Sequence, residues 1–154
     1  MKRYSLILAV LGLFIMSSAF ISSPIVGDDI RGTYWNGEKT AKIRIYRAKN
    51  GKYYGKIDHL VEPNEANGKP KLDPENPNAE LRSRARLGMV IMKSFEFDQS
   101  EKKWGNGTIY DPNNGKTYDG YASFEGENKN TLYLRGYVMG MTWLGRTSEW
   151  ERIE

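Results

Sequence analysis

From Ile30 onward, apolar and polar side chains alternate with a period of two, the pattern pleated backbone imposes when one face is buried. Ile30-Arg31-Gly32-Thr33-Tyr34-Trp35 predicts a first strand that ends at Asn36-Gly37. In the next strand Ala41, Ile43 and Ile45 alternate with Lys42, Arg44 and Tyr46. Lys49-Asn50-Gly51 follows, and Asn-Gly favours the primed turns whose twist suits a hairpin. The returning strand sets Tyr53, Gly55, Ile57, His59 and Val61 on one face.

The alternation then stops. Residues 62–85 hold Pro63, Pro70, Pro74 and Pro77 among Asn and Gly, a composition no central strand tolerates. Asn76-Pro77 has the form of a helix cap with proline at the first helical position, and 79–85 would make one or two turns. A connection this long in a compact domain usually serves as a lid, portal or binding loop; the bland reading is a disordered excursion.

Strands resume at 88–98, where Val90, Ile91, Met92, Phe95 and Phe97 make a mostly apolar run. The stretch WGNGTIYDPNNGKTY at 104–118 then reads as a strand, a tight connection and the start of the next strand. Trp104, Asn106, Thr108 and Tyr110 alternate there with Gly105, Gly107 and Ile109. Asp111-Pro-Asn-Asn-Gly115 supplies a fixed φ, Asx hydrogen bonds and a residue that accepts φ > 0. Tyr118, Gly120, Ala122 and Phe124 alternate down the following strand, and Leu132, Leu134, Gly136 and Val138 down the one after it. A last strand spans 143–153. About eight strands on short hairpins, with no long helix, predict an all-β, antiparallel up-and-down barrel, because closure removes unpaired edges. The long Pro-rich loop and a short helix interrupt it. Eight strands enclose either a filled core or one small ligand.

Composition changes the picture mainly at the N-terminus. Lys2 and Arg3, an apolar run from Leu6 to Met16, and Ser17-Ser18-Ala19 predict a signal peptide over 1–19, with cleavage up to 23. The run is too short for a bilayer span, so no stable membrane anchor is expected. The remainder, 24–154, is one domain, enough to bury a core without staples. With no Cys, lipoprotein modification, disulfides and thiolate metal sites are all excluded. Without Lys2 and Arg3 the net charge of +4 falls to +2, a solubility charge and not a nucleic-acid footprint.

Several motifs together resemble one family. They are Asn76-Pro77 with Arg82 and Gly88, Trp104-Gly-x-Gly-x-Ile-Tyr-Asp-Pro, Gly115-Lys116-Thr117-Tyr118, Leu132 to Gly136, and Gly145-Arg146-Thr147-x-x-Trp150-x-Arg152. At these spacings they resemble the exported bacterial domain of unknown function numbered 2147, over nearly the whole mature chain. The resemblance implies a periplasmic or secreted location and a lipocalin-like barrel, and it carries no catalytic residues across. A looser resemblance is to lipocalins at large, in which a first-strand Trp packs under a basic residue of the last strand. Trp35 and Arg152 would take those parts, although the spacing here is Gly-x-x-Trp where lipocalins have Gly-x-Trp.

Candidate chemistry is sparse. His59 is the sole histidine, without the Cys or carboxylate neighbours that a zinc site needs. No nucleophile elbow, nucleotide loop or His-Glu-x-x-His occurs. Asp111-x-Asn113-x-Gly115 fails as a calcium loop, because later ligand positions hold Gly115, Lys116 and Ala122; Asp111 and Gly115 read instead as hairpin residues. Asn106-Gly107-Thr108 is a glycosylation sequon inside a strand. Neither a metal nor a cofactor is expected.

If Glu149 and Glu151 face solvent, then Arg146, Ser148, Trp150 and Arg152 face inward. An interior guanidinium needs a partner: internal acids, backbone carbonyls or the anionic head of a ligand. Arg152 is expected to cap Trp35, and Arg146 is open between the two readings. Four Trp and ten Tyr suit a cavity mouth for amphipathic molecules; Tyr46, Tyr54, Tyr110, Tyr133 and Tyr137 are candidates there, although Tyr is favoured in β-sheet regardless and an outward strand position is the better reading for most of them. The ligand-facing set is Arg146, Trp150, Tyr110, Tyr118 and Trp104, with Trp35, Arg152, Asp111 and Gly115 as structural signatures. The expected function is monomeric, non-covalent binding of a small apolar or amphipathic molecule. The alternatives are an envelope interaction protein that works through its surface and, with nothing in the spacing to require it, an enzyme.

Overall fold

In the computed structural model, residues 23–153 are described. The leader expected over 1–19 lies outside them. Eight strands run β1 Gly32–Trp35, β2 Ala41–Arg47, β3 Tyr53–Leu60, β4 Val90–Asp98, β5 Lys103–Asp111, β6 Lys116–Glu125, β7 Asn128–Val138 and β8 Met141–Arg152. Each pairs antiparallel with its sequence neighbours, and β8 returns to β1, closing an all-β barrel. The closing seam is short, formed by Tyr34 opposite Arg152 and Trp35 opposite Glu151. No helix among the described residues is long and apolar enough to cross a membrane.

The inner face carries Tyr34, Ile43, Ile45, Ile57, Met92, Phe95, Trp104, Ala122, Phe124, Leu132 and Trp150, all buried. The period of two places most of them, and bulges account for the exceptions. On β5, Asn106 takes a left-handed φ of 56° and the pairing with β6 shifts between Trp104 and Gly107. After that extra residue Gly107 and Ile109 point inward, so strict alternation from Trp104 through Tyr110 does not hold. Gly107 faces the Phe95 ring so closely that a Cβ there would sit 2.2 Å from it. On β3, a register shift where β2 passes from Lys42 to Ile43 turns His59 outward, against the edge of Trp35, and leaves Val61 exposed.

Two turns also differ from expectation. Gly51 has φ 81° but Asn50 does not share that hand, so the β2–β3 connection is an ordinary turn ending in a left-handed glycine. Gly51 N–H donates to Ala48 at 2.9 Å, and the Asn50 side chain accepts from Lys52 N–H at 3.1 Å. In the Pro-rich stretch the helical piece is a single 3-10 turn, Ala79–Leu81, capped by Asn78 rather than Asn76. The Asn76 side chain is occupied elsewhere.

Candidate functional site

The two ends of the barrel are built differently. At one end a short 3-10 helix, Gly27–Ile30, lies across the opening as a plug. Trp104 Nε1 donates to Gly27 O at 2.8 Å, Tyr34 Oη to Ile30 O at 2.9 Å, and Tyr53 Oη to Asp28 at 2.9 Å. Arg152 pins the plug from the last strand. Its guanidinium donates to Arg31 O and Lys129 O, each at 2.8 Å, and also to Asp29 O and the Tyr34 hydroxyl. It stacks 4.7 Å from the Tyr34 ring centre and 5.7 Å from that of Phe124. Burial raises the Tyr34 hydroxyl well above its ordinary value, and the Arg152 charge offsets only part of that.

Arg152 therefore covers Tyr34, not the expected Trp35. With Gly-x-x-Trp the tryptophan sits one residue further along β1, and a one-residue step in a strand changes faces. Tyr34 pairs with inward Ile43, while Trp35 pairs with Lys42, whose ammonium lies 5.0 Å over the indole on the outer surface.

The other end is open. A cavity of about 940 Å³ enters between the β1–β2, β5–β6 and β7–β8 connections. Ala41, Ile43, Ile57, Ile91, Ile109, Leu134 and Trp150 form its apolar wall, while Glu38, Arg86, Asp111, Asn113, Arg146 and Ser148 lie toward the mouth. Gly136, on the inward register of β7, leaves room: a Cβ there would meet nothing closer than 3.5 Å.

A strap, residues 62–88, packs beside this mouth. Two isolated bridges, Asn64 with Pro70 and Leu72 with Ala85, fold it on itself, and a buried polar knot ties it to β5. Asp73 is fully buried and accepts from Tyr110 Oη at 2.6 Å, Asn76 Nδ2 at 2.7 Å and Arg84 Nη2 at 2.9 Å. Burial alone would push the Asp73 carboxyl up; hydrogen bonds from Tyr110, Asn76 and Arg84 outweigh it and hold the group below its ordinary value. The same burial and the adjacent carboxylate push the Tyr110 hydroxyl up to about 12. Arg86 extends the knot to the β5–β6 hairpin, donating to Leu72 O, Pro112 O and Asn113. Gly115, with φ 69°, meets the strap so closely that a Cβ would lie 1.8 Å from Glu75 O.

Of the ligand-facing set, Arg146, Trp150, Tyr110 and Tyr118 line this one cavity. Trp104 does not: it is buried at the plugged end, against Phe97 and Phe124. β8 keeps an uninterrupted register through these residues, with Gly136 opposite Arg146, Leu134 opposite Ser148 and Leu132 opposite Trp150. Every other arginine of the described residues has a hydrogen-bond or ion-pair partner; the Arg146 guanidinium, exposed at the mouth, has none. Tyr137 reaches the rim, whereas Tyr46 and Tyr54 stack on the outer wall and Tyr133 pairs with Glu125 outside. Asp111 accepts from Asn113 N–H and Asn114 Nδ2, each at 2.9 Å, as a hairpin residue does. Among the described residues no cluster of three or more His, Asp or Glu side chains is arranged to hold a metal.

Sequence reasoning missed the Asp73–Arg84 pair and the part played by Tyr34. Asp73 had no periodic signal, since it lies among prolines. Tyr34 alternates with Trp35, and its inward place follows from its pairing with Ile43 across the sheet.

Comparison with known proteins bears on this geometry. The chain belongs to the family described as "Uncharacterized protein conserved in bacteria (DUF2147)", whose model matches residues 32–152. Its fold is similar to that of protein HP1028 from Helicobacter pylori, described as belonging to the lipocalin family. The likeness has a TM-score of 0.67 at 24% identity and covers 81% of this chain and 83% of that one. No curated protein matches the sequence.

Proposed function

We propose that this DUF2147 chain is an exported binding protein that holds one small apolar or amphipathic molecule, without covalent chemistry, in the open half of its barrel. The observation that carries the reading is the cavity: about 940 Å³, apolar along its wall and polar at its mouth. Small-molecule sites are commonly roughly 300–1,000 Å³ with that distribution of lining groups. A ligand's apolar part would lie along Ile43, Ile57, Ile109 and Leu134, with Trp150 beneath it. Its polar end would meet Arg146, the guanidinium without an internal partner. The lipocalin-like neighbour supports a binding barrel through its fold. Export rests on the leader sequence alone.

The test is titration with a dansyl-labelled undecanoic acid, followed by its fluorescence. Saturable enhancement is expected, and Gly136→Leu, which fills the cavity from its inward register, should abolish it while leaving the far-UV spectrum unchanged. A flat titration with the unmodified protein, or enhancement that persists in Gly136→Leu, would overturn the reading.

A further inference from the structure

The β7–β8 hairpin carries large apolar side chains that the core does not bury. Its turn is Met139-Gly140, with φ 50° and 70°, and Val138 pairs with Met141 across it. Two successive left-handed residues suit Asn, Asp or Gly. Here the first is a methionine, held in a disfavoured backbone conformation and 84% exposed. Trp143 is 77% exposed, Leu144 53% and Val138 36%. Asn at 139 would ease the turn, and a polar residue at 143 would improve solubility. Folding therefore does not account for this tip, and backbone strain that folding does not require points to function.

Shape and charge narrow what meets the tip. Thr142, Trp143 and Leu144 bulge out of the β7–β8 pairing, between Tyr137 opposite Gly145 and Val138 opposite Met141, so with Met139 they present a broad apolar surface to solvent. β1 pairs with β8 only at Tyr34 and Trp35, so the outer part of β8 has no strand beside it on that edge. From 131 to 148 the chain has no acidic residue, while Arg135 and Arg146 stand behind the tip.

We propose that the β7–β8 hairpin docks on an anionic lipid bilayer. A protruding apolar tip of Met139, Trp143 and Leu144, backed by a free cation and by no acidic residue of the hairpin, matches the apolar interior and charged surface of an anionic bilayer. Met139, Leu144 and Val138 would enter the acyl boundary, Trp143 would sit at headgroup level, and the Arg146 guanidinium, which has no partner within the chain, would reach a lipid phosphate. Val138, Trp143 and Leu144 also border the cavity, so docking brings its mouth to the membrane surface. This inference stands on the hairpin and is independent of whether the cavity takes a ligand.

The test is co-sedimentation of the chain from Pro24 onward, which contains every strand of the barrel and omits the apolar leader. Vesicles of phosphatidylglycerol with phosphatidylethanolamine are compared with phosphatidylcholine alone. Binding to the anionic vesicles is expected to exceed binding to phosphatidylcholine by at least about tenfold. It should fall by a similar factor in the triple variant M139N, W143S, L144S. The single variant Trp143→Ser gives the same comparison, with a smaller loss, if the triple variant misfolds. Wild-type protein that stays in the supernatant, that binds no better than the variants, or that ignores headgroup charge would overturn the proposal. A wild-type dimer that the variants abolish, with no vesicle binding, would also overturn it and assign the tip to a second copy.

Discussion

The plugged end and the open end of this barrel use the same strands to opposite effect. At the plugged end the charged groups are tied down: Arg152 donates to three backbone carbonyls, and Asp29 holds Lys129 at 2.8 Å and Val26 N–H at 2.7 Å. Aromatic rings fill the space beneath the plug, with Trp104 5.4 Å from Phe124 and 4.9 Å from Phe97. At the open end the small residue Gly136 leaves volume, Arg146 has no partner, and large apolar side chains stand in solvent. Hydrogen bonds fix the plug at one end and the strap at one side of the mouth, while the β7–β8 side of the mouth carries neither.

That contrast is testable through stability. The largest effect is expected from Arg152→Ala, which strips three carbonyls and the Tyr34 ring of their shared partner. A loss of about 3–4 kcal/mol in urea unfolding fits a part-buried set of carbonyls and a ring that lose their shared donor at once. A loss below about 1 kcal/mol would mean that the plug holds without its peg.

Asp73→Ala comes next, at about 3 kcal/mol, because Arg84, Asn76 and Tyr110 are left facing one another around a void. The strap should open with little change in the barrel, so amide exchange should rise across 62–88 and not in β2 or β7. Acid should act on both ends. Asp29 and Asp73 each titrate below the ordinary 3.8 once folded, because hydrogen bonds and neighbouring cations outweigh burial. A folded value lower than the unfolded one means stability that is complete above the ordinary carboxylate range and is lost as pH falls through the folded value. The urea midpoint should therefore be level near neutral pH and fall below about pH 4. In Asp73→Ala the fall should be shallower, which unfolding curves at stepped pH would read directly.

A smaller effect separates core from cavity wall. Phe95→Ala under the plug should cost roughly the full amount for a buried aromatic, whereas Ile109→Ala, beside space that is already open, should cost no more than about 2 kcal/mol. Equal losses would mean that the open half is as tightly packed as the plugged half. The smallest effect has the opposite sign. Met139→Asn should stabilise the fold by about 1 kcal/mol or less, since Asn tolerates the left-handed turn that Met resists. A destabilised variant would show that Met139 packs in the folded chain.

Much of this architecture was legible in the chain, for reasons visible at single positions. Ile43 and Ile57 alternate with charged neighbours, so their burial follows from pleating alone. Arg146, Ser148 and Trp150 share a face because β8 keeps one register with β7 from Gly145 to Glu151. Where legibility failed, one extra residue was responsible. The bulge at Asn106 moved Ile109 into the cavity and Tyr110 under the strap, and the longer Gly-to-Trp spacing put Tyr34 in the place expected for Trp35. Such shifts depend on what a strand meets across the sheet, as Gly107 meets Phe95, and no period within one strand records that.

By itself, then, the sequence determined the number and order of the strands, the closure of the sheet and the face taken by most side chains, because these follow from local alternation and turn chemistry. Only the tertiary structure decided which end is plugged, where the strap rests and which cation is left without a partner. Those outcomes come from contacts between residues far apart in the chain, such as Arg152 with Asp29 and Asp73 with Tyr110. Their energies depend on burial and geometry that arise only after the barrel has closed.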